Sequence, residues 1–240
     1  MSHSNLKYYG HSAWILTLDS GYVVAIDPWL EGNPSCPASL KNPDKIDLIC
    51  LTHGHSDHAG DAVRLSNQTG AKICATWELC SILNGEGISQ DLLIPMNKGG
   101  SIILDEVTVS LTDAKHSSSY DSPSRGTLYA GEACGVIVKS PNKTIYHAGD
   151  TLLFSDMRLI KDQWSPDIAL LPIGDRFTMN PQTASQASSL INAKLSIPMH
   201  YGTFPILTGS PKDFATECKK IGVECSVLGV GEVINFRSLV

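Results

Sequence analysis

The chain has 240 residues and a formal net charge of −6, with 18 Lys and Arg against 24 Asp and Glu. The positive charges form no basic stripe, which argues against a nucleic-acid partner but leaves a small anionic substrate open. No apolar run approaches the length of a membrane span, and the start of the chain shows no secretory leader. We therefore expect a cytoplasmic protein without a membrane partner.

The domain organisation is inferred from length and composition. Chains of this size with mixed helices and strands commonly fold as one unit, and we find no linker or low-complexity segment, so we expect a single domain over residues 1–240. The seven cysteines form no C-x-x-C pair, which indicates neither a disulfide framework nor a Cys-type zinc site. His3 is expected to lie in a disordered terminus.

The first half of the chain is predicted to begin with short strands. Apolar patterning predicts strands over residues 6–9, 13–18 and 22–26, and a buried strand over 48–51. The next predicted elements are a helix over 59–69, a strand over 72–75, a short helix over 77–83 and strands over 102–104 and 107–111.

The second half repeats this order of elements. Its predicted strands cover 135–138, 144–147, 168–171, 196–199, 224–228 and 232–236, and its predicted helices cover about 155–161, 181–191 and 211–221. Asn180 and Ser210 are the expected N-caps of the last two helices. Strands and helices that interleave in both halves predict an α/β fold, in which two sheets pack face to face with helices outside.

The densest polar motif comes directly after the buried strand over 48–51. From residue 53 to 58 the chain reads H-G-H-S-D-H, which places three imidazoles and one carboxylate in six positions. Neutral imidazole nitrogens and carboxylate oxygens suit zinc, manganese or iron, and a short loop can direct several of them at one point. The motif predicts a metal site whose remaining ligands come from later parts of the chain.

Three further ligand candidates each follow a predicted strand. They are His116, Asp150 and His200. A single histidine after a strand is more often a surface or core residue than a ligand. Strand ends along one edge of packed sheets can nevertheless converge on a single cleft, so the three candidates gain weight as a set.

Several more motifs flank the central loop. They are Tyr9-Gly10-His11-Ser12, Ile26-Asp27-Pro28-Trp29, Asn33-Pro34, Tyr146-His147-Ala148-Gly149-Asp150-Thr151, Leu171-Pro172-Ile173-Gly174 and His200-Tyr201-Gly202-Thr203-Phe204-Pro205. With the loop, they resemble the metallo-β-lactamase superfamily and, more narrowly, its small cytoplasmic metal-dependent hydrolases related to the ascorbate-phosphate lactonases. The resemblance covers nearly the full chain. It implies an αββα four-layer sandwich of two pseudo-equivalent halves, with a dinuclear metal site in a cleft at one edge of the sheets.

The resemblance also implies a set of site residues. The implied ligands are His53, His55 and His116 for one ion, Asp57, His58 and His200 for a second, and Asp150 as the bridge between them. The two divalent ions are expected to be zinc, with Mn²⁺ or Fe²⁺ as alternatives. A water shared by the ions would be ionised near neutral pH and attack an ester, lactone or phosphodiester of a small substrate, with Asp57 and Asp150 as catalytic groups and no protein nucleophile.

Other residues are expected to support this site. Asp27 and Thr151 are predicted to orient the ligands, and His11 to lie near the cleft or to have a structural hydrogen-bonding role. His147 is expected to point to the opposite face of its strand from Tyr146 and not to contact a metal. Where the resemblance implies another glycine after Pro172-Ile173-Gly174, this chain has Asp175-Arg176-Phe177-Thr178-Met179. The guanidinium of Arg176 could bind an anionic group of the substrate, the alternative being an ordinary surface residue.

Two other functions are weighed against the hydrolase. One is an iron-dependent oxidoreductase of the same superfamily, and the other is a non-catalytic metal-binding protein. The flavin-dependent diiron reductases typically carry a carboxylate at the second loop histidine, whereas this chain has His55. We therefore predict a hydrolase whose partner is a small-molecule substrate, and the sequence leaves open whether the chain forms a homo-oligomer.

Overall fold

The computed structural model describes residues 4–238, so His3 lies outside the described residues. The strands in chain order are β1 (Asn5–Gly10), β2 (Ala13–Thr17), β3 (Val23–Ile26), β4 (Leu48–Cys50), β5 (Lys72–Thr76), β6 (Leu93–Met96), β7 (Ser101–Leu104), β8 (Val107–Asp113), β9 (Ser119–Ser122), β10 (Gly126–Tyr129), β11 (Cys134–Lys139), β12 (Thr144–His147), β13 (Ile168–Pro172), β14 (Leu195–Met199) and β15 (Val233–Asn235). The α-helices are α1 (Ser56–Ala59), α2 (Ala62–Thr69), α3 (Trp77–Gly85), α4 (Arg158–Trp164), α5 (Pro181–Ile191) and α6 (Pro211–Ile221). Short 3-10 turns cover Ala38–Leu40, Gln90–Leu92, Ser155–Met157 and Phe236–Ser238.

These strands form two large sheets and a separate hairpin. The first sheet has the order β15-β1-β2-β3-β4-β5-β6, and the second has the order β14-β13-β12-β11-β8-β7. Strands β3 to β6 run parallel to one another, as do β12 to β14. Strand β8 runs in the direction of β12, because both are antiparallel to β11. Many strands of each sheet therefore end at the same edge.

Apolar side chains fill three layers around the sheets. In β4, Leu48 and Cys50 face the second sheet, where they pack in one cluster with Val136 of β11. Ile49 lies on the opposite face of β4 and packs with the side chains of α2 and α3. On the outer face of the second sheet, Ala169 belongs to a cluster with α4, α5 and α6. The alternation along each strand thus produces the predicted αββα four-layer sandwich, which is confirmed.

The last two helices form as predicted. The side chain of Asn180 accepts the backbone N–H of Thr183, and the Thr183 hydroxyl in turn accepts the backbone N–H of Asn180. This reciprocal capping box starts α5, and Ser210 caps α6 through the backbone N–H of Asp213. Within the described residues, no helix is long and apolar enough to cross a membrane.

One predicted strand is wrong, and one predicted helix is shorter than expected. Residues 224–228 form only one bridge, between Ser196 and Cys225, rather than a strand. The ladder cannot continue along β14, because the residue two positions on is Pro198, which has no N–H to donate. The helix predicted over 59–69 forms as α2 but begins at Ala62, after the separate short helix α1. Asp61 lies between the two helices, and its carboxylate accepts the backbone N–H groups of Leu30 and Glu31.

Candidate metal centre

The predicted ligands lie at the shared edge of the two sheets. His53 and its neighbours follow β4, Asp150 follows β12, and His200 follows β14 directly. His116 comes after the end of β8, which reaches the same edge. The two sheets therefore bring together residues that are far apart in the chain, as the sequence analysis expected.

The first set of ligand candidates, which we call the His53 group, consists of His53, His55 and His116. Each offers a ring nitrogen within 4.8 Å of the nitrogens offered by the other two. The Nε2 atom of His53 lies 3.0 Å from Nδ1 of His55. Two ligand atoms bound at about 2.0–2.1 Å to one tetrahedral ion are about 3.3 Å apart, so this spacing fits a shared ion.

The second set, which we call the Asp57 group, consists of Asp57, His58 and His200. Oδ2 of Asp57 lies 4.0 Å from Nε2 of His58 and 3.7 Å from Nε2 of His200. His11 lies next to this group, because its Nε2 is 3.0 Å from the same carboxylate oxygen of Asp57. The group therefore differs from the His53 group in containing a carboxylate.

Asp150 lies between the two groups. Its Oδ1 is 3.4 Å from Nε2 of His58, and its Oδ2 is 3.1 Å from Nε2 of His200. Its Oδ2 is also 3.7 Å from Nε2 of His116, which belongs to the His53 group. One buried carboxylate thus faces ligand candidates of both groups.

Several of these atoms fit a metal better than they fit the protein. Nε2 of His58, Nε2 of His200 and Oδ1 of Asp150 are buried and have no partner in hydrogen-bonding geometry among the described residues. Burying a polar atom without a partner costs about 1–3 kcal/mol. Because these three atoms lie close together and are the donor types that bind divalent ions, a metal would satisfy all of them.

The pKa values of the histidines are lowered in the His53 group and raised in the Asp57 group. Burial lowers the pKa of His53, His55 and His116, which keeps these imidazoles neutral and able to donate a lone pair to a metal. Burial would also lower the pKa of His200, but the nearby Asp150 carboxylate outweighs it and raises the pKa to about 9. The pKa of His58 is raised for the same reason, by Asp150 and then Asp27.

Asp27 contacts His58 from the side opposite the ligand cluster. One of its carboxylate oxygens accepts hydrogen bonds from Nδ1 of His58 at 2.7 Å and from the hydroxyl of Thr52 at 2.6 Å. Its other oxygen accepts the backbone N–H of Thr52 at 2.8 Å. With its Nδ1 occupied in this way, His58 directs Nε2 towards the ligand cluster.

Thr151 connects two ligand loops. Its hydroxyl oxygen accepts the backbone N–H of Lys115, the residue before His116, at 3.0 Å. The same hydroxyl donates to the backbone oxygen of Leu152 at 2.9 Å. Because Thr151 follows Asp150 directly, this contact fixes the loop of the central carboxylate to the loop of His116.

His147 supports the backbone of the site instead of entering a ligand group. Its Nε2 lies 2.9 Å from the carbonyl oxygen of Ser12, and its Nδ1 accepts the backbone N–H of Gly149 at 3.1 Å. Both ring nitrogens are therefore occupied by backbone partners, and no cluster of candidate ligands among residues 4–238 includes this side chain.

The backbone at the site is unusual in conformation. His11, Asp27 and His200 have φ angles of 56°, 44° and 58°, in the left-handed region that residues other than glycine rarely adopt. Such conformations persist only where surrounding contacts impose them, and they concentrate at functional sites. The N–H of His200 donates to the carbonyl of His11 at 2.8 Å, which joins the end of β14 to the end of β1.

Gly174 allows His200 to approach the end of β13. A Cβ at this position would lie 2.9 Å from Nδ1 of His200 and would overlap its carbonyl oxygen. A larger residue would therefore require His200 or the end of β13 to shift. The glycine of the Leu171-Pro172-Ile173-Gly174 motif is thus explained by the close approach of His200.

A cleft of about 280 Å³ opens onto both groups. The residues that line it are His55, Asp57, His116, Ser117, Asp150, Phe177, His200, Phe204 and Leu207. None of its three apolar members was predicted to bind a ligand, although Phe204 belongs to one of the flanking motifs. Arg176 is exposed, with its guanidinium 5.9 Å from the ring of Phe177, and is not among the lining residues. Its role in binding an anion stays a prediction.

Comparison with known proteins agrees with this geometry. The model of the β-lactamase superfamily domain matches residues 22–201. The chain is 41% identical over 225 residues to a metal-dependent hydrolase of Rubrobacter xylanophilus, covering 93% of this chain and 92% of the relative. It is 40% identical to a metal-dependent hydrolase of Herpetosiphon aurantiacus, covering 96% of each chain.

A solved structure supports the same relationship. It is that of Igni18, described as a novel metallo hydrolase from the archaeon Ignicoccus hospitalis, which is 36% identical with a TM-score of 0.84. The match covers 97% of this chain and 98% of that protein. The predicted resemblance, fold and enzyme class are thereby confirmed. This chain belongs to the β-lactamase superfamily and is a metal-dependent hydrolase of the kind represented by its UPF0173 relatives.

Proposed function

We propose that the chain is a dinuclear metal-dependent hydrolase that cleaves an ester, lactone or phosphodiester bond of a small substrate. The observation that carries this proposal is the position of Asp150, whose two carboxylate oxygens lie 3.1–3.7 Å from histidines of both ligand groups. A carboxylate placed in this way is suited to bridge two ions and to set their separation.

The donor set determines which ions fit. The His53 group would hold one ion, the Asp57 group would hold the other, and Asp150 would be shared. Imidazoles and carboxylates together suit zinc first, with manganese and iron as alternatives. Divalent ions bound there would supply Lewis acidity, which polarises the substrate and lowers the pKa of a water molecule.

The residues of the chain supply orientation and access. Asp27 fixes the ring of His58, and Thr151 fixes the loop of Asp150 relative to that of His116. Asp57 and Asp150 line the cleft, so their carboxylates would lie beside the bond of a substrate bound there as well as among the ligands. This arrangement holds the reacting groups in one geometry before the substrate enters, which is the main structural requirement for catalysis of this type.

Metal stoichiometry tests the proposal. Purified protein that has been stripped with a chelator and reloaded with zinc should contain close to two ions per chain by elemental analysis. His116→Ala removes one ligand of the His53 group and should reduce the content to about one ion. This variant shows what the loss of a single site looks like in the same assay. One ion or fewer in the reloaded parent protein would contradict the dinuclear assignment. Abundant redox-active iron in the protein as purified, before it is stripped, would favour the oxidoreductase.

A further inference from the structure

The cleft has an apolar side that the metal chemistry does not explain. We call it the apolar wall, and it consists of Phe177, Phe204 and Leu207. Phe177 is 53% exposed and Phe204 is 37% exposed, although both face a cleft that also contains the ligands. Exposed aromatic side chains grouped at a concave site usually mark a place where a ligand is bound.

Contacts with the metal centre hold Phe204 in place. Its ring centroid lies 5.7 Å from that of His11 and 5.9 Å from that of Trp29. The backbone N–H of Leu207 donates to the carbonyl of Phe204 at 3.0 Å, which closes the loop that carries both side chains. Because His11 contacts Asp57, this part of the wall has a fixed position relative to the Asp57 group.

The loop of Phe177 is tied to the same framework. The backbone N–H of Asp175 donates to the carbonyl of Met179 at 2.9 Å, and the N–H of Met179 donates to the carbonyl of Thr151 at 3.2 Å. The hydroxyl of Thr208 also donates to the carboxylate of Asp175 at 3.0 Å, which connects the two loops of the wall. These hydrogen bonds therefore join the two loops of the wall to each other and to Thr151, the residue after Asp150.

The apolar wall is unsuited to a charged substituent, although the two proposed divalent ions would give the ligand side of the cleft a positive charge. The lining residues include the carboxylates of Asp57 and Asp150 but no lysine or arginine. An anionic substituent bound against the wall would lose its hydration without gaining a cationic side chain, which is unfavourable. The nearby guanidinium of Arg176 lies outside the lining, beside the ring of Phe177.

We propose that the apolar wall binds an uncharged apolar group attached to the hydrolysed carbonyl, so that the substrate is a small neutral ester or lactone. This inference rests on the proposed hydrolase function and narrows it, because a charged group held against the wall would lose its hydration without a compensating partner. The volume of about 280 Å³ is near the lower limit of about 300 Å³ for ligand pockets, which fits a small molecule.

Three methyl esters test this proposal on the zinc-loaded protein. They are methyl acetate, methyl hexanoate and the monoanionic monomethyl adipate. Hydrolysis of each ester is measured as the release of acid in a pH-stat. The parent protein should hydrolyse the hexanoate with a kcat/KM at least about tenfold above that for the acetate, because each added methylene can contact the wall. The adipate matches the hexanoate in length but ends in a carboxylate, and it should be the poorer substrate.

Substitutions in the apolar wall test whether its side chains cause the preference for the hexanoate. Phe177→Ala and Phe204→Ala should each lower kcat/KM for the hexanoate about tenfold, while changing that for the acetate less than about twofold. Ile103→Ala is the matched control, because Ile103 is 80% exposed on β7 and does not line the cleft. It should leave all three rates unchanged. Arg176→Ala should raise the KM of the adipate only, and by about threefold, since exposed ion pairs contribute little.

The outcomes separate this inference from the function on which it rests. Equal losses on acetate and hexanoate, or a preference of the parent protein for the adipate, would overturn the role of the wall. If no ester is hydrolysed, the proposed hydrolysis of esters fails, and binding is measured instead with 3-octanone, a ketone that resembles methyl hexanoate but cannot be hydrolysed. Saturation-transfer NMR should then show binding that Phe204→Ala weakens and Ile103→Ala does not, and absence of that binding would overturn the proposal.

Discussion

The two ligand groups differ in charge, although they occupy the same cleft. The His53 group consists of imidazoles whose pKa values are lowered by burial, and it contains no carboxylate of its own. The Asp57 group includes a carboxylate and is backed by a second one, Asp27, behind His58. We therefore expect the Asp57 group to bind a divalent cation more tightly than the His53 group does. The His53 group should depend on Asp150 for negative charge.

The largest effect should come from removing the residue that both groups share. Asp150→Ala should lower metal content at both positions and reduce hydrolysis by more than the 10–100-fold typical of a supporting residue, about 100-fold or more. Elemental analysis and initial rates measure both effects. Asp162→Ala, an exposed carboxylate on α4, is the control. Loss of only one ion would show that Asp150 belongs to a single group.

An intermediate effect is expected when only the Asp57 group is perturbed. Asp27→Asn keeps a side chain that tolerates the φ of 44° but removes the charge that orients His58, so zinc affinity of that group should fall about 10–100-fold. Chelator competition measures the affinity in a His116→Ala background, where the Asp57 group remains intact. In a His200→Ala background, which leaves the His53 group, the same change should have a smaller effect, because Asp27 reaches His53 indirectly, through the hydroxyl of Thr52. Equal losses in both backgrounds would remove the proposed asymmetry.

The smallest effect should come from His11, which contacts the Asp57 group through one hydrogen bond. His11→Asn preserves the left-handed backbone conformation but cannot maintain the 3.0 Å contact with Asp57, so zinc affinity in the His116→Ala background should fall about tenfold. The same competition assay applies. An effect larger than that of Asp27→Asn would indicate that His11 is itself a ligand.

Much of the fold could be predicted because its strands are apolar and its helices carry clear end signals. The bounds of α5 and α6 follow from Pro181 and Pro211, each behind a capping residue. The hairpin of β9 and β10 and the edge strand β6 were missed. The hairpin lacks alternating apolar residues, and β6 contains Pro95, so neither has the pattern of a buried strand.

The site was predictable to the extent that its residues lie in local motifs. The loop from His53 to His58 carries a metal signal within six positions, and the resemblance extended it to His116, Asp150 and His200. The position of His11 against Asp57 and the grouping of Phe177 with Phe204 depend on the packing of distant loops. No short-range pattern records such contacts, so they emerge only from the structure.

The hydrogen bond from the N–H of His200 to the carbonyl of His11 has a consequence for folding kinetics. It joins the end of the first strand of one sheet to the end of the last strand of the other, and it lies inside the ligand cluster. The complete cluster can therefore form only after both sheets have docked, late on the folding path. Metal binding should then slow unfolding while leaving the rate of folding almost unchanged.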